Sequence, residues 1–494
     1  MARSPGELTM GGRPGGGGAA VGGGPRLHVV EPLPGPGPGS VRRISLIAAV
    51  AALGGFLFGY DTAVINGAVA PVQGHFGAAP LELGLAVSAA LIGSAVGAIV
   101  AGRLADRFGR IRAMLVAAVL FVVQSFGVGL SFTLLDFSLW RFVGGIAVGT
   151  ASVIAPAYIA EVAPARLRGR LGSLQQLAIV TGIFIALLVD FLVAAAAGGA
   201  ARPWFGGLPA WRWMFLSEVI PAAVYMAGAF LIPESPRYLV AAGYPEEARA
   251  VLTDIVGQRQ VDAKVAEIRR TISTERRPRL ADLRGRAGLL PIVWVGIGLS
   301  VFQQFVGINV IFYYSSVLWQ AVGFTERQAL AITMITGLTN ILTTFIAIAL
   351  VDRVGRKPLL LAGSAGMTAT LGTMAYLFGT APLDVHGSPV LQGPHGLVAL
   401  AAANLYVVFF GLSWGPIVWV LLGEMFPNRI RAAALSVGAS AQWIANFLVS
   451  TTFPVLKNVG LGFAYGLYAL AAVVSFVFVL TLVRETKGRE LETM

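Results

Sequence analysis

Several charged side chains stand inside long apolar runs of the sequence, and three of them are candidates for chemistry. Asp61 lies late in the first run, Arg141 early in the fourth, and Glu218 in the sixth. A charge at the centre of a bilayer costs about 2.5–3.5 kcal/mol on insertion scales, so such a residue normally faces a cavity or a partner. If successive runs cross the membrane in opposite directions, Asp61 and Arg141 lie at similar depth and can pair.

A carboxylate that alternates between a bound proton and an arginine partner can couple proton movement to another event. Asp61 and Arg141 are therefore candidates for proton coupling, and Glu218 is a candidate for the same network. The competing interpretation is a permanent ion pair that only fixes the packing of the first and fourth runs.

A second group of candidates is neutral and polar. Amides offer donors and acceptors, which matches a ring of sugar hydroxyls, and an indole offers a flat apolar face and one N–H donor. An anionic substrate would favour an unpaired basic residue at this depth. The alternative role is to join helices, at about 0.6 kcal/mol per hydrogen bond. Their number favours a sugar site that includes Gln176, Gln303, Gln304, Asn309, Tyr313, Asn340, Trp414, Trp419, Gln442 and Asn446.

Two of the runs that carry these amides contain helix-breaking residues. Gly307 interrupts the seventh run, and Gly415 and Pro416 interrupt the tenth. Because proline removes a backbone hydrogen bond and kinks a helix, both segments are predicted to bend. The bend either opens and closes a cavity or is a static kink.

A third set of candidates is ionic and repeats along the chain. The sequence DRFGR at 106–110 recurs as DRVGR at 352–356, and the pattern Glu-x-x-Pro-x-x-x-Arg at 161–168 recurs at 424–431. Parallel repeats are typical of transporters with a substrate site between two halves. The repeat predicts a cytoplasmic gate that holds the halves together when the protein opens outward. Its members are Arg107, Arg110, Glu161, Arg168, Arg353, Arg356, Glu424 and Arg431. The alternative is topology determinants and surface ion pairs worth about 0–1 kcal/mol each.

Membrane-spanning helices must position these residues. The 494 residues are 56% hydrophobic and 12% charged, against about 25% charged in soluble domains. A helix needs about 20 apolar residues to cross a bilayer. Twelve such spans are predicted, at 44–70, 81–103, 111–131, 137–161, 168–197, 211–232, 289–320, 327–351, 357–380, 396–424, 430–454 and 461–483.

These spans divide the chain into five segments. Residues 1–43 are rich in Gly and Pro and are predicted to be a disordered cytoplasmic tail. Spans 1–6 form a half at 44–233, and spans 7–12 form a half at 289–483. Between them, 234–288 mixes charged and aliphatic residues and predicts short amphipathic cytoplasmic helices. A short tail follows at 484–494.

Charge and composition exclude several classes of protein. The Arg and Lys residues behind the net charge of +12 are concentrated in alternate loops, which predicts cytoplasmic termini and a membrane topology rather than nucleic-acid binding. Cysteine is absent, so no disulfide or thiolate metal site is expected. We identify no metal site, cofactor site or nucleotide-binding motif, which argues against an enzyme or a primary pump. No cleavable signal peptide is expected, and the composition suggests a bacterial cell-membrane protein.

Taken together, the motifs resemble those of the sugar porter family of the major facilitator superfamily. They are GYD at 59–61, the two DRxGR loops, RFVGG at 141–145, PESPR at 233–237, QQFVGIN at 303–309 and ETKG at 485–488. The resemblance covers about residues 44–490. It implies an all-α membrane protein with twelve transmembrane helices in two six-helix halves and a cytoplasmic helical segment between them.

Within the family, the chain is most similar to bacterial sugar/proton symporters of the xylose and glucose type. The resemblance implies that Asp61 takes the proton, that Arg141 pairs with it, and that the amides and Trp414 contact the sugar. Ile183 stands where the xylose type has glutamine, which favours a hexose. Arg484 and Ala432 depart from the family pattern and leave the cytoplasmic latch open to question.

The expected function is import of a monosaccharide, such as glucose, with a proton by alternating access. The alternatives are an uncoupled sugar uniporter, a sugar sensor that does not transport, and an exporter of apolar drugs. The expected partners are the sugar, the proton and the lipid bilayer, and the protein is expected to be a monomer.

Overall fold

The computed structural model describes residues 38–274, 280–285, 288–383, 389–391, 394–427 and 430–486. Each predicted span is formed by one helix or by two consecutive helices, apart from a few end residues such as Leu289 and Leu290 of span 7. A segment surrounded by lipid must satisfy its backbone hydrogen bonds internally, which selects helices. The prediction of an all-α membrane fold is confirmed, and the strands described are a two-residue antiparallel pair, β1 Arg284–Gly285 and β2 Gly288–Leu289.

The first half contains seven helices in six spans. They are α1 Pro38–Phe76, α2 Pro80–Phe108, α3 Arg110–Gly129, α4 Leu134–Val162, α5 Ala165–Ala197 and, in two pieces, α6 Ala210–Leu216 and α7 Val219–Leu231. Helix α1 begins before the predicted residue 44. The rest of the tail predicted to be disordered, 1–37, lies outside the described residues.

Three short helices follow, as the amphipathic pattern predicts. They are α8 Pro236–Ala241, α9 Pro245–Val256 and α10 Val261–Thr274. Leu252, Val261 and Val265 form their small apolar core. An ion pair of 2.9 Å between Arg43 and Asp254 ties this segment to the start of α1.

The second half contains eight helices in six spans. They are α11 Pro291–Phe305 with α12 Ile308–Ala321, α13 Glu326–Val354, α14 Arg356–Thr380, α15 Pro394–Leu412 with α16 Trp414–Met425, α17 Arg431–Val459 and α18 Leu461–Leu482.

Eleven of the described helical segments have the length and hydropathy to cross a membrane. The remaining predicted span, α14, has 25 residues, about 37 Å at 1.5 Å per residue, so its length suffices. Its Gly, Ser and Thr residues lower its hydropathy, and it packs against α15 and α18.

The predicted breaks in spans 7 and 10 are confirmed. Gly307 separates α11 from α12 with a φ of +84°, in the left-handed region that favours glycine. Ser413, three residues before Pro416, separates α15 from α16. Span 6 also breaks, at Ser217 and Glu218, which the sequence analysis did not predict.

Small residues allow the helices of each half to approach closely. A Cβ at Gly145 of α4 would lie 2.0 Å from the carbonyl oxygen of Ala90, and one at Gly59 of α1 would lie 2.0 Å from that of Ile179. Such contacts are typical of membrane helix interfaces, where packing replaces the hydrophobic effect.

The two halves meet where α1 packs on α12, α2 on α17, and α5 on α13. We call the side on which α2 and α13 end the Arg-rich face, because it carries Arg103, Arg107 and Arg353. The other side, on which α2 and α13 begin, is called the opposite face.

Candidate functional site

The Asp61–Arg141 ion pair forms as the sequence predicts. Arg141 Nη1 donates to Asp61 Oδ1 at 2.8 Å and to the Asp61 carbonyl oxygen at 3.2 Å. Asp61 is 1% exposed and Arg141 is 2% exposed. Removing one partner of a buried pair typically costs about 3–5 kcal/mol, because it leaves an uncompensated charge. The proton-coupling role of the pair stays a prediction.

Glu218 joins this cluster through Gln124, a residue that the sequence analysis missed. Gln124 of α3 donates from Nε2 to Asp61 Oδ1 at 3.2 Å and to Glu218 Oε2 at 2.6 Å. Ser125 Oγ also donates to Glu218 Oε2, at 3.1 Å. The two carboxylates therefore share one amide, and a proton on either changes the electrostatic environment of the other. In the sequence, Gln124 could have been recognised as the single amide within the apolar third span.

Three predicted amides of span 7 form a hydrogen-bonded chain. Asn309 Nδ2 donates to Gln304 Oε1 at 2.5 Å, and Gln304 Nε2 donates to Gln303 Oε1 at 3.3 Å. Gln303 Nε2 in turn donates to the carbonyl oxygen of Trp414 at 2.8 Å. The break at Gly307 places Asn309 within reach of Gln304. The chain connects the break in span 7 to the break in span 10.

Trp414 does not offer the free N–H donor that its indole suggested. Its side chain is fully buried, and Nε1 donates to Ser364 Oγ at 2.9 Å and to the Leu360 carbonyl oxygen at 3.2 Å. Both acceptors belong to α14. In this conformation Trp414 therefore joins spans 9 and 10. Trp419 is 42% exposed and makes no hydrogen bond among the described residues to the buried polar network.

Tyr313 of α12 and Asn446 of α17 form a second polar contact within the second half. Asn446 Nδ2 donates to Tyr313 Oη at 3.5 Å and accepts a hydrogen bond from Ser450 Oγ at 3.1 Å. Tyr313 also lies within electrostatic range of both Asp61 and Arg141. The ion pair of the first half thus adjoins a polar layer of the second half.

The remaining sugar-site candidates lie on α5, α13 and α17. Gln176 is half-buried, Ile183 is buried, and Asn340 lies beside Gly411. The buried Oε1 of Gln442 has no hydrogen-bond partner among the described residues. The convergence of these residues on one chamber with the span 7 amides stays a prediction.

Gln175 is a further candidate that the sequence analysis passed over. Its buried Oε1 also has no partner among the described residues. Its amide occupies the space beside Gly55 of α1, where a Cβ would lie 2.7 Å from Nε2. The signal was the pair of adjacent glutamines, of which only Gln176 was selected.

Asn66 of α1 forms a polar contact between the halves, also missed in the sequence. Its Nδ2 donates to the carbonyl oxygens of Phe312 at 3.0 Å and Ile311 at 3.4 Å. The backbone N–H of Ser316 donates to Asn66 Oδ1 at 3.1 Å, and Ser316 Oγ donates to the Asn66 carbonyl oxygen at 2.5 Å. These bonds hold span 1 against span 7.

Two more hydrogen bonds join the halves toward the opposite face. The hydroxyls of Ser88 and Thr451 lie 2.6 Å apart, and Glu326 Oε1 accepts from the Ala200 N–H at 2.7 Å. Ser88 is near the start of α2 and Glu326 begins α13, so both contacts lie on the side away from the arginine loops.

Toward the Arg-rich face, four of the predicted gate residues form one ion pair in each half. Arg110 Nη2 lies 2.8 Å from Glu161 Oε1, and Arg356 forms a two-point contact with Glu424 through Nε at 3.0 Å and Nη2 at 2.7 Å. The equivalent positions of the two pairs follow from the internal repeat, although Arg110 contacts Glu161 only through Nη2. Bridges between the halves, predicted for an outward-open protein, are not tested by this conformation.

The other gate candidates have different surroundings. Arg107 is exposed and stacks on Phe108, Arg353 is exposed, and Arg431 Nε donates to the Phe426 carbonyl oxygen at 3.1 Å. The side chain of Arg168 lies outside the described residues.

A carboxylate from the end of each half caps the helix that forms the third span of that half. Glu234 accepts the backbone N–H groups of Arg110 at 2.9 Å and Ile111 at 3.1 Å. Glu485 accepts those of Arg356 at 3.0 Å and Lys357 at 2.9 Å. The first amides of a helix lack partners and carry partial positive charge, so both contacts are favourable.

The residues after these carboxylates complete the symmetry. Ser235 Oγ donates to Glu161 Oε2 at 2.5 Å, and Thr486 Oγ1 donates to Glu424 Oε2 at 2.6 Å. In the sequence, a Glu followed by Ser or Thr occurs directly after span 6 and again after span 12. The analysis of the internal repeat did not identify these two pairs as equivalent.

The Glu485→Ala variant is expected to lose about 1–2 kcal/mol of stability, because it leaves two helix N–H groups without an acceptor. The thermal midpoint of unfolding in detergent measures this change. Glu246→Ala, at a side chain that is 79% exposed, is the matched control. An unchanged midpoint for Glu485→Ala would show that solvent replaces the cap.

Comparison with known proteins places the chain among transporters. The profile of the family "Sugar (and other) transporter" matches residues 47–494. The chain is 63% identical to a glucose transport protein of Synechocystis sp., over 92% of this chain and 97% of that protein. It is 39% identical to the D-xylose-proton symporter of Escherichia coli K12, over 91% of this chain and 94% of that protein.

Solved structures give the same result. The inward-open conformation of the E. coli xylose transporter XylE matches with a TM-score of 0.79 and 38% identity, covering 91% of this chain and 98% of that one. XylE bound to 6-bromo-6-deoxy-D-glucose matches with a TM-score of 0.73 and 37% identity, covering 92% and 98%. The twelve-helix fold and the transporter class predicted from the motifs are confirmed, and the chain belongs to the sugar porter family of the major facilitator superfamily.

Proposed function

We propose that this protein imports a monosaccharide, a hexose such as glucose, together with a proton. The buried Asp61–Arg141 pair, linked by Gln124 to Glu218, carries the proposal. The names of the two relatives support both parts, since one is a glucose transport protein and the other a D-xylose-proton symporter. Ile183, in place of a glutamine, supports a hexose.

The proposed location is the cell membrane of a bacterium, with the Arg-rich face and both termini in the cytoplasm. The excess of Arg in the loops of that face supports this orientation. The inter-half hydrogen bonds of Asn66, Ser88 and Glu326 then lie on the extracellular side. A closed extracellular side agrees with the match to the inward-open conformation of XylE.

Alternating access couples the two substrates through charge. A proton on Asp61 would cancel the charge that holds Arg141, and Glu218 lies close enough to share the arginine field. Tyr313 adjoins the pair and bonds to Asn446. A sugar bound at this polar layer would therefore sense the protonation state of Asp61.

The residues proposed to bind sugar are neutral side chains from both halves. Gln303, Gln304 and Asn309 already form one network, and the sugar hydroxyls would compete for its donors and acceptors. The full proposed set is Gln176, Ile183, Gln303, Gln304, Asn309, Tyr313, Asn340, Trp414, Gln442 and Asn446. The protein is proposed to act as a monomer, with the ion pairs of Glu161 and Glu424 as elements of its cytoplasmic gate.

Purified protein in liposomes tests the proposal. Glucose, xylose, galactose and inositol compete for uptake of labelled glucose, with and without an inward proton gradient. Accumulation against a sugar gradient and sugar-driven alkalinisation of the medium are expected. Transport without alkalinisation would identify a uniporter, and sugar binding without transport would identify a sensor.

Gln124→Leu is expected to lower proton-driven uptake by roughly tenfold or more. Loss of the shared amide leaves two buried carboxylates with fewer donors, and an unsatisfied buried group costs about 1–3 kcal/mol. The initial rate of uptake in liposomes measures this effect. Gln258→Leu, at an exposed residue of the cytoplasmic segment, controls for the substitution. If Gln124→Leu takes up sugar at the wild-type rate, Gln124 is not part of the coupling network.

A further inference from the structure

Asp190 of α5 is a buried carboxylate that the proposed mechanism does not use. Its side chain has no exposed surface. Its Oδ2 accepts the backbone N–H of Gly67 at 3.0 Å, whereas its buried Oδ1 has no hydrogen-bond partner among the described residues. A charge at such a position costs about 2.5–3.5 kcal/mol or more. Asp61, in contrast, has both Arg141 and Gln124.

The contact between Asp190 and span 1 is direct. A Cβ at Gly67 would lie 2.8 Å from both Cβ and Cγ of Asp190, so the absence of a side chain at 67 lets the carboxyl reach the backbone. Pro71, four residues later within α1, has no N–H to donate to the Gly67 carbonyl. The Gly67 carbonyl therefore lacks the usual i+4 donor of a helix, and the Gly67 N–H is bonded to Asp190.

Gly67 also lines a cavity of about 370 Å³. The cavity is formed by the outer end of α1, the loop before α6, the end of α12 and the start of α13, so it lies toward the opposite face. Its lining includes Pro71, His75, Gln320 and Glu326. Gly67 thus stands between this cavity and Asp190, which gives a route for water to the carboxyl when the two helices separate.

Other ionisable groups near Asp190 do not neutralise it. Tyr60 of α1 lies within electrostatic range of the carboxyl. In the described part of the chain, no basic side chain lies within ion-pair distance of it. Most ionisable groups on the outer parts of the helices packed against α5 are engaged elsewhere: Asp61 with Arg141, Arg212 with His75, Gly129 and Ser131, Glu326 with Ala200, and Asp136 with Phe132. Arg327, at the start of α13, is exposed.

We propose that Asp190 is a second proton-binding carboxyl of the transport cycle, neutral while the extracellular side is closed and ionised when that side opens. On closure Oδ1 takes a proton from hydronium in the cavity, which leaves a neutral carboxylic acid and water. On opening the proton returns to water. Asp190 then acts as a positioning residue that permits closure only when protonated. This role rests on the proposed transport function, with the opposite face outside the cell.

Sugar counterflow at equal pH on both sides tests this role, because it needs opening and closing but no net proton flow. The assay uses the Asp61→Asn background, where the main coupling carboxyl cannot titrate. With Asp190 present, counterflow is expected to fall at alkaline pH, by up to about tenfold per pH unit, the limiting slope of a single site. Asp190→Asn, which keeps an acceptor for Gly67, is expected to abolish that fall. Asp190→Ala shows the cost of losing the acceptor itself.

Infrared difference spectroscopy of the otherwise unmodified protein supplies a second readout. We expect Asp190→Asn to remove one protonated-carboxyl band at neutral pH, while Glu326→Gln leaves that band in place. Identical counterflow profiles together with an unchanged band would overturn the proposal. If Asp190→Asn removes the band but the unmodified protein transports sugar without protons, the proposed proton symport is wrong. The protonation of Asp190 is then still supported.

Discussion

Liposomes that contain the Asp61→Asn variant are expected to equilibrate sugar but not to accumulate it. The amide can still accept a hydrogen bond from Gln124 and from Arg141, so the local packing is retained. It cannot bind and release a proton in the working pH range. The steady-state ratio of internal to external sugar should therefore fall to about 1, the value for transport without a driving force.

A second set of measurements must show that Asp61→Asn loses the coupling to the proton gradient and not transport itself. Sugar counterflow and sugar binding should persist in Asp61→Asn, since neither requires net proton movement, whereas sugar-driven alkalinisation should disappear. Asp262→Asn, at a side chain that is 84% exposed, controls for the removal of a carboxylate. Full accumulation by Asp61→Asn would assign the coupling proton to another group.

Glu218→Gln helps to separate the two carboxylates. Glu218 makes no ion pair among the described residues and is bonded instead to Gln124 and Ser125. If it only adjusts the electrostatic environment of Asp61, this variant should accumulate sugar with a shifted pH dependence. Complete loss of accumulation in both variants would mean that the two carboxylates bind the coupling proton as one unit.

Sequence periodicity predicted the elements of this protein because lipid leaves few choices. Each apolar run must be a helix, so all twelve spans and the breaks in spans 7 and 10 could be placed from residue types. The pairing of Asp61 with Arg141 could also be predicted, because two opposite charges in apolar runs are less costly to bury as a pair than alone. The break at Glu218 was less visible, because Ser217 and Glu218 fit a helical pattern.

What the sequence could not provide was the partner of each neutral polar group. An amide inside a span can bind a ligand, a neighbouring helix or a carboxylate, and its identity does not distinguish these roles. Gln124 bonds to two carboxylates, Asn66 bonds to the backbone of span 7, and Trp414 bonds to span 9. Only the rotation of each helix about its axis decides among such partners, and that rotation depends on packing.

Asn66→Ala is expected to shift the protein toward the outward-open state. The substitution removes three side-chain hydrogen bonds that join span 1 to span 7, with Ile311, Phe312 and Ser316. At about 0.5–1.5 kcal/mol each, their loss would change the conformational equilibrium on the order of 10- to 1,000-fold. The same carbonyls can bond to water once the opposite face, which we propose to be extracellular, opens, so the loss acts mainly on the closed state.

Spin labels can measure this shift, because the protein has no cysteine and introduced thiols are labelled uniquely. Phe205→Cys, in the loop before α6, and Leu397→Cys, at the start of α15, are 72% and 70% exposed and lie on different halves. Asn66→Ala should increase the population with a long distance between the labels. It should also slow uptake, because closure of the extracellular side becomes less favourable.

Asn404→Ala separates the loss of an inter-half contact from the loss of any buried amide. Asn404 donates to the Leu400 carbonyl oxygen at 3.1 Å and accepts from Thr336 Oγ1 at 3.4 Å, so its bonds remain within one half. Its removal should lower stability without changing the distance distribution. If both variants shift the distribution equally, the effect is a general loosening of the helices. If neither does, the backbone contact between Asn66 and Ser316 and the hydrogen bonds of Ser88 and Glu326 suffice to keep the extracellular side closed.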